Sequence, residues 1–366
     1  MLLTSTTKRR HCHLFLKKFE SFEYDRRKIP IEKIPDIKSQ SGGSLKILFA
    51  DKFPQDGVNQ LHELGHECDL QPDLVGETLP AAIGESEILV VRSTKVSADV
   101  IRSGESLRLI IRAGAGTNTI DKEFAASRSI PVCNVPGKNA AAVAELAMGL
   151  MISIDRRIHE NVIDLRAGNW KKKKYAVAKG LMGQKLGIIG VGAIGLSLAE
   201  RARAFGIQVM VVDKPSRSAE SKAALSDLGI ETIASLPELL RKADIVSVHV
   251  PSAPETKGMI NAEFLSDMKP GAVLINTSRG DVVEESALLS AMDEKGIRAG
   301  LDVYADEPAV SEGEFSSALA SHPNTCGTHH IGASTEQAQS AVSEGVLQII
   351  NTFSEGKILH CVNGQA

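Results

Sequence analysis

Long apolar runs, a large net charge and paired cysteines are all missing from this sequence. No window approaches the ~18 consecutive apolar residues that a membrane-spanning helix needs, so no membrane partner is predicted. The formal net charge of −3 over 366 residues gives no general attraction to nucleic acid or to anionic membranes. The five cysteines are widely spaced, without a CxxC pair or a zinc-like spacing, which predicts free thiols, no metal site and a reducing, cytoplasmic location.

Positive charge is concentrated at the beginning of the chain. Residues 1–44 carry ten Lys or Arg and five Asp or Glu, and the first nineteen residues contain no acidic side chain. Two interpretations remain open: an organelle-targeting leader that is cleaved, or a poorly ordered extension that ends in the SQSGGS linker at 39–44. The five acids between 20 and 38 favour the extension. An organellar location is the alternative if the segment is a leader.

A glycine-rich turn follows the apolar run Leu186–Ile189. Gly190, Gly192 and Gly195 have the G-x-G-x-x-G spacing, and a helix is predicted from about Ala193 to Phe205. In a dinucleotide site these glycines permit a tight turn, a close approach to the pyrophosphate and close helix packing. Asp213 lies 18 residues after Gly195, where a carboxylate binds the ribose hydroxyls of NAD and repels the 2′-phosphate of NADP. Lys214 and Arg217 leave NADP open as an alternative.

Apolar runs that alternate with helical stretches begin at Leu45 and predict parallel sheets covered on both faces. The predicted fold class is α/β, with two doubly wound parallel-sheet domains: a flavodoxin-like substrate domain and an inserted Rossmann NAD-binding domain. The predicted boundaries are 45–142 plus 333–366 for the substrate domain and 143–332 for the NAD domain. One long helix is predicted from Asn139 to about His159, and the lysines at 171–174 are predicted to lie in a surface loop or to reach toward an anionic substrate.

Three polar residues end predicted strands of the second domain: Arg279, Glu307 and His330. Hydride transfer from a hydroxy acid to NAD needs a group that takes the hydroxyl proton, and histidine suits this role. A neighbouring carboxylate would hold the ring, and an arginine would bind the substrate carboxylate. Each residue alone also fits a structural role, as a surface ion pair, a turn residue or a buried histidine.

The segments that carry these residues resemble those of a known family. They include RSTKVSADVI, RAGAGTNTIDKEFA, GIIGVGAIG, HVPSAPETKGMI, MKPGAVLINTSRGDVVEESAL, GLDVYADEP and HIGASTEQAQ. From about Leu45 to Asn363 the chain resembles the D-isomer-specific 2-hydroxyacid dehydrogenases, especially the members that oxidise D-3-phosphoglycerate. The resemblance is to a short form without a carboxy-terminal regulatory domain, so serine feedback through such a domain is not expected.

The resemblance implies a role for each matching position. Arg279 corresponds to the arginine that orients the substrate carboxylate, Glu307 to the acid that pairs with the histidine, and His330 to the proton donor, with His329 secondary. The implied NAD-binding residues are Gly190, Gly192, Ala193, Ile194, Gly195, Asp213, Val250, Thr277, Ser278, Arg279, Asp302, His330 and Ala115. The implied substrate-binding residues are Arg92, Ser93, Lys95, Arg112, Asn134 and Gly137.

The choice of substrate depends on positive charge. Arg92, Lys95, Arg112 and Lys138, with Lys173 as a looser candidate, could bind a phosphate as well as a carboxylate, which favours D-3-phosphoglycerate. Another D-2-hydroxy acid, such as glycerate (with hydroxypyruvate as its oxidised partner) or lactate, is an alternative. A non-enzymatic NAD-sensing protein related to the corepressors of this family is a second alternative. The resemblance also implies a homodimer or a homotetramer.

Overall fold

Two parallel β-sheets form the frame of the protein in the computed structural model, which describes residues 43–308 and 312–364. The predicted fold class is therefore confirmed: the chain has two parallel-sheet α/β domains. The predicted amino-terminal extension falls almost entirely on residues outside the described ranges. Among the helices of the described ranges, none has both the length and the apolar composition that crossing a bilayer requires.

The first sheet has five strands, and both of its faces are buried. Its strands are β1 (Lys46–Phe49), β2 (Glu67–Leu70), β3 (Ile88–Val91), β4 (Leu109–Arg112) and β5 (Val132–Asn134). Its connecting helices are α1 (Gln55–Glu63), α2 (Leu79–Ala82), α3 (Ala98–Ser103) and α4 (Lys122–Ser127). The strand order β2-β1-β3-β4-β5 is that of flavodoxin-like sheets, and the two faces contribute to separate apolar clusters.

The second sheet has seven strands. They are β6 (Lys185–Ile189), β7 (Gln208–Val212), β8 (Glu231–Ile233), β9 (Ile245–Val248), β10 (Val273–Asn276), β11 (Arg298–Leu301) and β12 (Thr325–Gly327). The order β12-β11-β10-β9-β6-β7-β8 is the Rossmann order with one additional strand. Successive strands are added to one side of β6 up to β8 and to its other side from β9 onward. Ligands of such sheets bind in the crevice between β6 and β9, where the order reverses.

Ten further helices complete the described chain. They are α5 (Ala140–Arg156), α6 (Ile158–Arg166), α7 (Lys172–Tyr175), α8 (Ala193–Ala204), α9 (Ala219–Asp227), α10 (Leu236–Lys242), α11 (Ala262–Asp267), α12 (Glu285–Lys295), α13 (Ala318–Ser321) and α14 (Glu336–Ser354). Helix α5 packs on the seven-stranded sheet through residues such as Ala147 and Met151. Helix α14 returns to the five-stranded sheet, where Val346 and Ile350 join the cluster that contains Phe49.

The prediction of one helix from Asn139 to His159 was wrong at its end. Helix α5 stops at Arg156, Arg157 takes a left-handed conformation with φ of +52°, and α6 begins at Ile158. The guanidinium of Arg157 forms a two-point ion pair with Glu160 and donates to the carbonyl of Lys174 at 3.2 Å. These contacts hold a backbone conformation that costs a non-glycine residue about 1–2 kcal/mol.

The lysine run forms the short helix α7 instead of an open loop. Lys171 and Lys174 pair with the carboxylate of Asp164 at 2.8 and 3.2 Å, and the hydroxyl of Tyr175 donates to the same carboxylate. Both lysine side chains stay partly exposed, so these ion pairs tie α7 to α6 at the surface.

His249 follows β9 at the crevice between β6 and β9. Its Nε2 lies 2.8 Å from the hydroxyl of Ser247, while its Nδ1 is buried without a partner among the described residues. Burial lowers the pKa of His249 from its ordinary value to about 4. The ring is therefore neutral near pH 7, and its protonation would place an uncompensated charge in the interior.

This burial predicts a loss of stability in acid. The folded pKa of His249 lies below the unfolded value of 6.5, so the unfolded chain takes up the proton first as the pH falls from 6.5 toward 4. At pH 5 the free energy of unfolding should be lower by about 2 kcal/mol from this group alone. His249→Gln should remove that part of the pH dependence in urea unfolding at pH 7 and pH 5. An equal pH dependence in both proteins would contradict the assignment.

Candidate active site

The glycine-rich turn joins β6 to α8 at the crevice. Gly190 has φ of +97°, and a Cβ on it would overlap the carbonyl oxygen of His249 on the adjacent strand. A Cβ on Gly195 would overlap the carbonyl oxygen of Gly190. These two glycines therefore allow the strand, the turn and the helix to pack closely, whereas Gly192 has no described heavy atom within 4 Å of a Cβ position. Gly192 leaves open space beside the first turn of α8.

The geometry of this turn fits a dinucleotide. The backbone N–H groups of Ala193 and Ile194 lie in the first turn of α8, where unpaired donors and the helix dipole favour a pyrophosphate. Across the crevice, the hydroxyl of Thr277 is buried and has no partner among the described residues, as expected if a bound ligand supplies one.

Asp213 directly follows β7 and is exposed, with its backbone N–H donating to Ile233 at 2.8 Å. Its carboxylate is thus available at the strand end that the ribose approaches in this fold. Arg217 folds back, and its guanidinium donates to the carbonyl of Val212 at 2.9 Å. That hydrogen bond engages the guanidinium that could otherwise bind the 2′-phosphate of NADP.

His330 and Glu307 form the central polar pair of the site. Nδ1 of His330 lies 2.7 Å from Oε1 of Glu307, and both side chains remain partly exposed to the cleft. Because Nδ1 is bonded to the carboxylate, Nε2 is the nitrogen left to face a substrate. His330 itself has φ of +53°, a left-handed conformation that is rare for a non-glycine residue.

Three arginines converge beside this pair. Burial, together with the positive charges of Arg279 and Arg92, lowers the pKa of Arg112 to about 10. Burial also lowers the pKa of Arg279, while the nearby carboxylate of Glu307 opposes the effect. Asp51 is the acidic group that offsets Arg112. The carboxylates of Asp51, Asp281 and Glu307 also act on these arginines. Asp51 is bound by the loop after β3 and Glu307 by His330, so the guanidinium groups can still bind an anionic ligand.

Two glycines make room for this cluster, and their part in the site was not predicted from the sequence. A Cβ on Gly114 would overlap the guanidinium of Arg112, and a Cβ on Gly116 would overlap that of Arg279. The contact of Gly116 with Arg279 brings the end of the first sheet against the end of the second. The RAGAG run was a signal for this packing, because its glycines directly follow a buried strand.

Asp51 also shapes the site. Its Oδ2 accepts hydrogen bonds from the backbone N–H groups of Arg92, Ser93 and Thr94 at 2.6, 3.0 and 3.1 Å. This carboxylate therefore folds the loop after β3 that presents Arg92 to the cleft. The guanidinium of Arg92 reaches Ser334, which precedes α14, at 3.4 Å. The sequence signal for the role of Asp51 was its place as the single acid at the end of the strand LKILFAD.

The other predicted substrate-domain residues lie in different places. Asn134 donates to the carbonyl of Ala115 at 2.6 Å, so it supports the loop of Gly114 and Gly116. A Cβ on Gly137 would lie 3.7 Å from the Cβ of Ala193, so Gly137 lies beside the glycine-rich turn. Lys95 is exposed and lines a separate surface cavity of about 450 Å³ with Asp99, Asn118 and Asp121.

Several predicted cofactor residues have bonds within the protein. Ser278 donates through both its backbone N–H and its hydroxyl to Asn276, and Asp302 accepts from the loop that carries His330. Val250 follows β9 beside the glycine turn, where its side chain lies near Gly190. Over residues 43–308 and 312–364, no group of three or more histidine, cysteine or acidic side chains has a geometry that could hold a metal ion.

Comparison with known proteins gives a consistent result. Residues 148–332 match the profile of the D-isomer specific 2-hydroxyacid dehydrogenase, NAD binding domain. The chain is 38% identical over 318 residues to D-3-phosphoglycerate dehydrogenase of Methanocaldococcus jannaschii, covering 86% of this chain and 58% of that protein. It is 40% identical over 283 residues to hydroxypyruvate reductase of Thermotoga maritima, covering 76% of this chain and 88% of that protein.

A solved structure agrees with these relatives. The D-lactate dehydrogenase of Aquifex aeolicus, complexed with NAD and lactic acid, superimposes with a TM-score of 0.71 at 26% identity, covering 85% of this chain and 96% of that one. The chain thus spans most of the reductase and lactate dehydrogenase relatives but 58% of the Methanocaldococcus protein.

The exposed carboxylate at the end of β7 predicts cofactor selectivity. Asp213→Ala should raise the Kd for NADH about tenfold, because charge-assisted hydrogen bonds to the ribose are lost. The Kd for NADPH should change less or fall, because the repulsion of the 2′-phosphate is also lost. Fluorescence titration measures both constants, and Asp227→Ala, at an exposed carboxylate that ends α9, is the matched control. Equal weakening of both cofactors would show that Asp213 does not select NADH.

Proposed function

Because this chain belongs to the D-isomer-specific 2-hydroxyacid dehydrogenases, we propose that it oxidises D-3-phosphoglycerate to 3-phosphohydroxypyruvate with NAD, the first step of the phosphorylated pathway of serine biosynthesis. The observation that carries the choice of substrate is the convergence of Arg92, Arg112 and Arg279 beside the pair of His330 and Glu307. A substrate with both a carboxylate and a phosphate would offer an anionic partner to more than one of these guanidinium groups.

His330 acts as the acid and base in this proposal. Its Nε2 takes the hydroxyl proton when the substrate is oxidised and returns it to the carbonyl oxygen in the reverse direction. Glu307, 2.7 Å from Nδ1, holds the ring orientation and stabilises the imidazolium that forms. Arg279 binds the substrate carboxylate, since its planar guanidinium can donate two parallel hydrogen bonds. NAD held at the glycine-rich turn would supply the acceptor for the hydride that leaves the carbon bearing the hydroxyl.

The arginine cluster supports the phosphorylated substrate over a simple 2-hydroxy acid. One arginine suffices to bind a single carboxylate. Burial of Arg112 near two further cations costs free energy that the carboxylate of Asp51 offsets only in part, since the pKa of Arg112 stays lowered. The Methanocaldococcus relative, named D-3-phosphoglycerate dehydrogenase, is consistent with this choice. The Thermotoga relative, named hydroxypyruvate reductase, makes reduction of unphosphorylated hydroxypyruvate the second candidate.

Turnover measurements test the proposal. With NADH, the parent protein should reduce 3-phosphohydroxypyruvate with a kcat/KM about 100-fold above that for hydroxypyruvate or pyruvate, because its additional cations bind the phosphate. His330→Ala should lower kcat about 10³-fold, since general acid catalysis is lost. Arg92→Met should lower kcat/KM about tenfold for the phosphorylated substrate and little for hydroxypyruvate. Arg128→Met, at an exposed arginine that precedes β5, is the control for a change of surface charge.

Each alternative has its own outcome in the same assay. Near-parental turnover by His330→Ala would reject His330 as the proton donor. A preference of the parent for hydroxypyruvate or pyruvate would identify a dehydrogenase for another D-2-hydroxy acid. Binding of NADH without turnover of any of the three would identify a corepressor-like sensor.

The proposal extends to a homo-oligomer, formed through residues 158–182. Among the described residues this segment holds seven exposed large apolar side chains: Ile158, Val162, Ile163, Leu165, Trp170, Val177 and Met182. Trp170 and Met182 are 81% and 85% exposed. A concentration of exposed apolar side chains in one segment is typical of interfaces, and the ion pairs of Asp164 with Lys171 and Lys174 tie α7 to α6 within it. A second copy of the chain, as a dimer or within a tetramer, is the proposed occupant.

Light scattering after size-exclusion chromatography tests this face. The parent should have the mass of a dimer or a tetramer, and Ile163→Asp with Trp170→Asp should shift it to a smaller species, because two charges would be buried in the contact. Leu64→Asp, at an exposed apolar residue that follows α1, should leave the mass unchanged. A monomeric parent, or an unchanged mass in the double variant, would contradict the proposal.

A cytoplasmic location and the predicted division at 142 and 333 are part of the same proposal. The cysteines of the described ranges, Cys68, Cys133, Cys326 and Cys361, are free thiols, which supports a reducing compartment.

A further inference from the structure

Two buried polar residues stand at the ends of neighbouring strands, directly below the loops of the candidate active site. Asn276 is the last residue of β10 and is 0% exposed, and Asp302 follows β11 and is 1% exposed. The backbone N–H of Asp302 donates to the carbonyl of Asn276 at 3.0 Å. A buried amide or carboxylate is costly unless its hydrogen bonds are satisfied, so the partners of these two side chains indicate their purpose.

The partners of Asn276 all belong to the loop that carries Arg279. Its Oδ1 accepts from the backbone N–H and the hydroxyl of Ser278 at 3.0 and 2.7 Å. Its Nδ2 donates to the carbonyl of Arg279 at 2.8 Å. The next residue, Gly280, packs against the peptide of Tyr304, where a Cβ would overlap the backbone. One side chain thus fixes the turn from which the Arg279 guanidinium extends.

The partners of Asp302 all belong to the loop that carries His330. Its Oδ1 accepts from the hydroxyl of Thr328 at 2.6 Å and from the N–H of Ile331 at 2.9 Å, and its Oδ2 accepts from the N–H of Gly332 at 2.8 Å. Its backbone carbonyl accepts from the N–H of His330 at 2.8 Å. These four bonds surround the residue with φ of +53° and hold a conformation that would otherwise be unfavourable.

We propose that Asn276 and Asp302 are positioning residues for hydride transfer, Asn276 acting through Arg279 and Asp302 acting through His330. This inference rests on the proposed function. Asp302 is also a position for which the family resemblance implies a contact with NAD, and its three side-chain hydrogen bonds to the His330 loop give it this second purpose. The backbone hydrogen bond between the two residues then sets the separation of the substrate-binding arginine from the proton donor.

The isosteric variant Asp302→Asn tests whether Asp302 positions His330. One acceptor oxygen becomes an amide NH₂, which would face the N–H of Ile331 or Gly332, so the loop and the His330 ring should shift. A displacement of a catalytic group by about 1 Å costs on the order of 100-fold, so kcat with 3-phosphohydroxypyruvate should fall by about that factor. The Kd for NADH, measured by fluorescence titration, should rise by a smaller factor than kcat falls, because the loop displacement acts mainly on the proton donor.

Asn276→Asp tests whether Asn276 positions Arg279. It retains the acceptor for Ser278 but replaces the donor with an oxygen that repels the Arg279 carbonyl. The KM for 3-phosphohydroxypyruvate should rise about tenfold, because the displaced guanidinium binds the substrate carboxylate less well. The Kd for NADH should change less than about twofold, because Asn276 is not among the implied NAD-binding residues, and this separates the effect from a general loss of the cofactor site.

Double variants and a matched control separate positioning from stability. In the His330→Ala background, Asp302→Asn should cause no further loss of kcat, because its effect acts through the missing ring. Asp155→Asn alters another buried carboxylate, which accepts from Gly180 at 3.1 and 3.2 Å, and it should lower the urea midpoint without the loss of kcat. If Asp302→Asn does not fold, Thr328→Val removes one bond to Asp302 and should lower kcat about tenfold.

Crystal structures of the parent and of Asp302→Asn give a measurement that does not depend on turnover. The distance from His330 Nδ1 to Glu307 Oε1, 2.7 Å in the parent, should open in the variant. An unchanged distance would overturn the inference even if the parent proved inactive on every substrate, which alone would reject only the proposed function. A tenfold rise in the Kd for NADH with unchanged kcat, or an additive loss in the His330→Ala background, would overturn it as well.

Discussion

The parallel pairing of β10 with β11 is the constraint on which the active site depends. Its register places Asn276 beside Leu301, so the two strands end together and their following loops begin side by side. Parallel strands release all their loops at one edge, and this pair releases the loops of Arg279 and Glu307 there. The His330 loop leaves the next strand, β12, and is fastened back to the end of β11 by Asp302.

Charge in the cleft opposes folding and favours binding. Burial of Arg112 beside Arg279 and Arg92 lowers its pKa, which means that the folded protein holds this cation less favourably than water would. Gly114 and Gly116 admit the guanidinium groups, but they supply no compensating charge. An anionic substrate would provide that compensation, so part of its binding free energy has its origin in an unfavourable arrangement of the free protein.

Local patterns in the sequence were sufficient for the strands, the glycine turn and the polar strand ends, because each depends on neighbours in the chain. The break at Arg157 was not predictable in this way, since its left-handed backbone is held by Glu160 and by a carbonyl seventeen residues away. The roles of Asp51 and Asn276 were hidden for a related reason. A polar residue at a strand end indicates a site, but only its hydrogen-bond partners distinguish a ligand contact from support of a loop.

Relatives of this chain are named for phosphoglycerate, hydroxypyruvate and lactate, so membership of the family does not choose the substrate. The discriminating groups must lie where the two domains meet. In the proposed mechanism the seven-stranded sheet contributes Arg279, Glu307 and His330, which any 2-hydroxy acid would need. The five-stranded sheet contributes Arg92 and Arg112, which a lone carboxylate would not need. On these proposed roles, the loop after β3 and the end of β4 would select the substrate, and the loops after β10, β11 and β12 would carry the reaction.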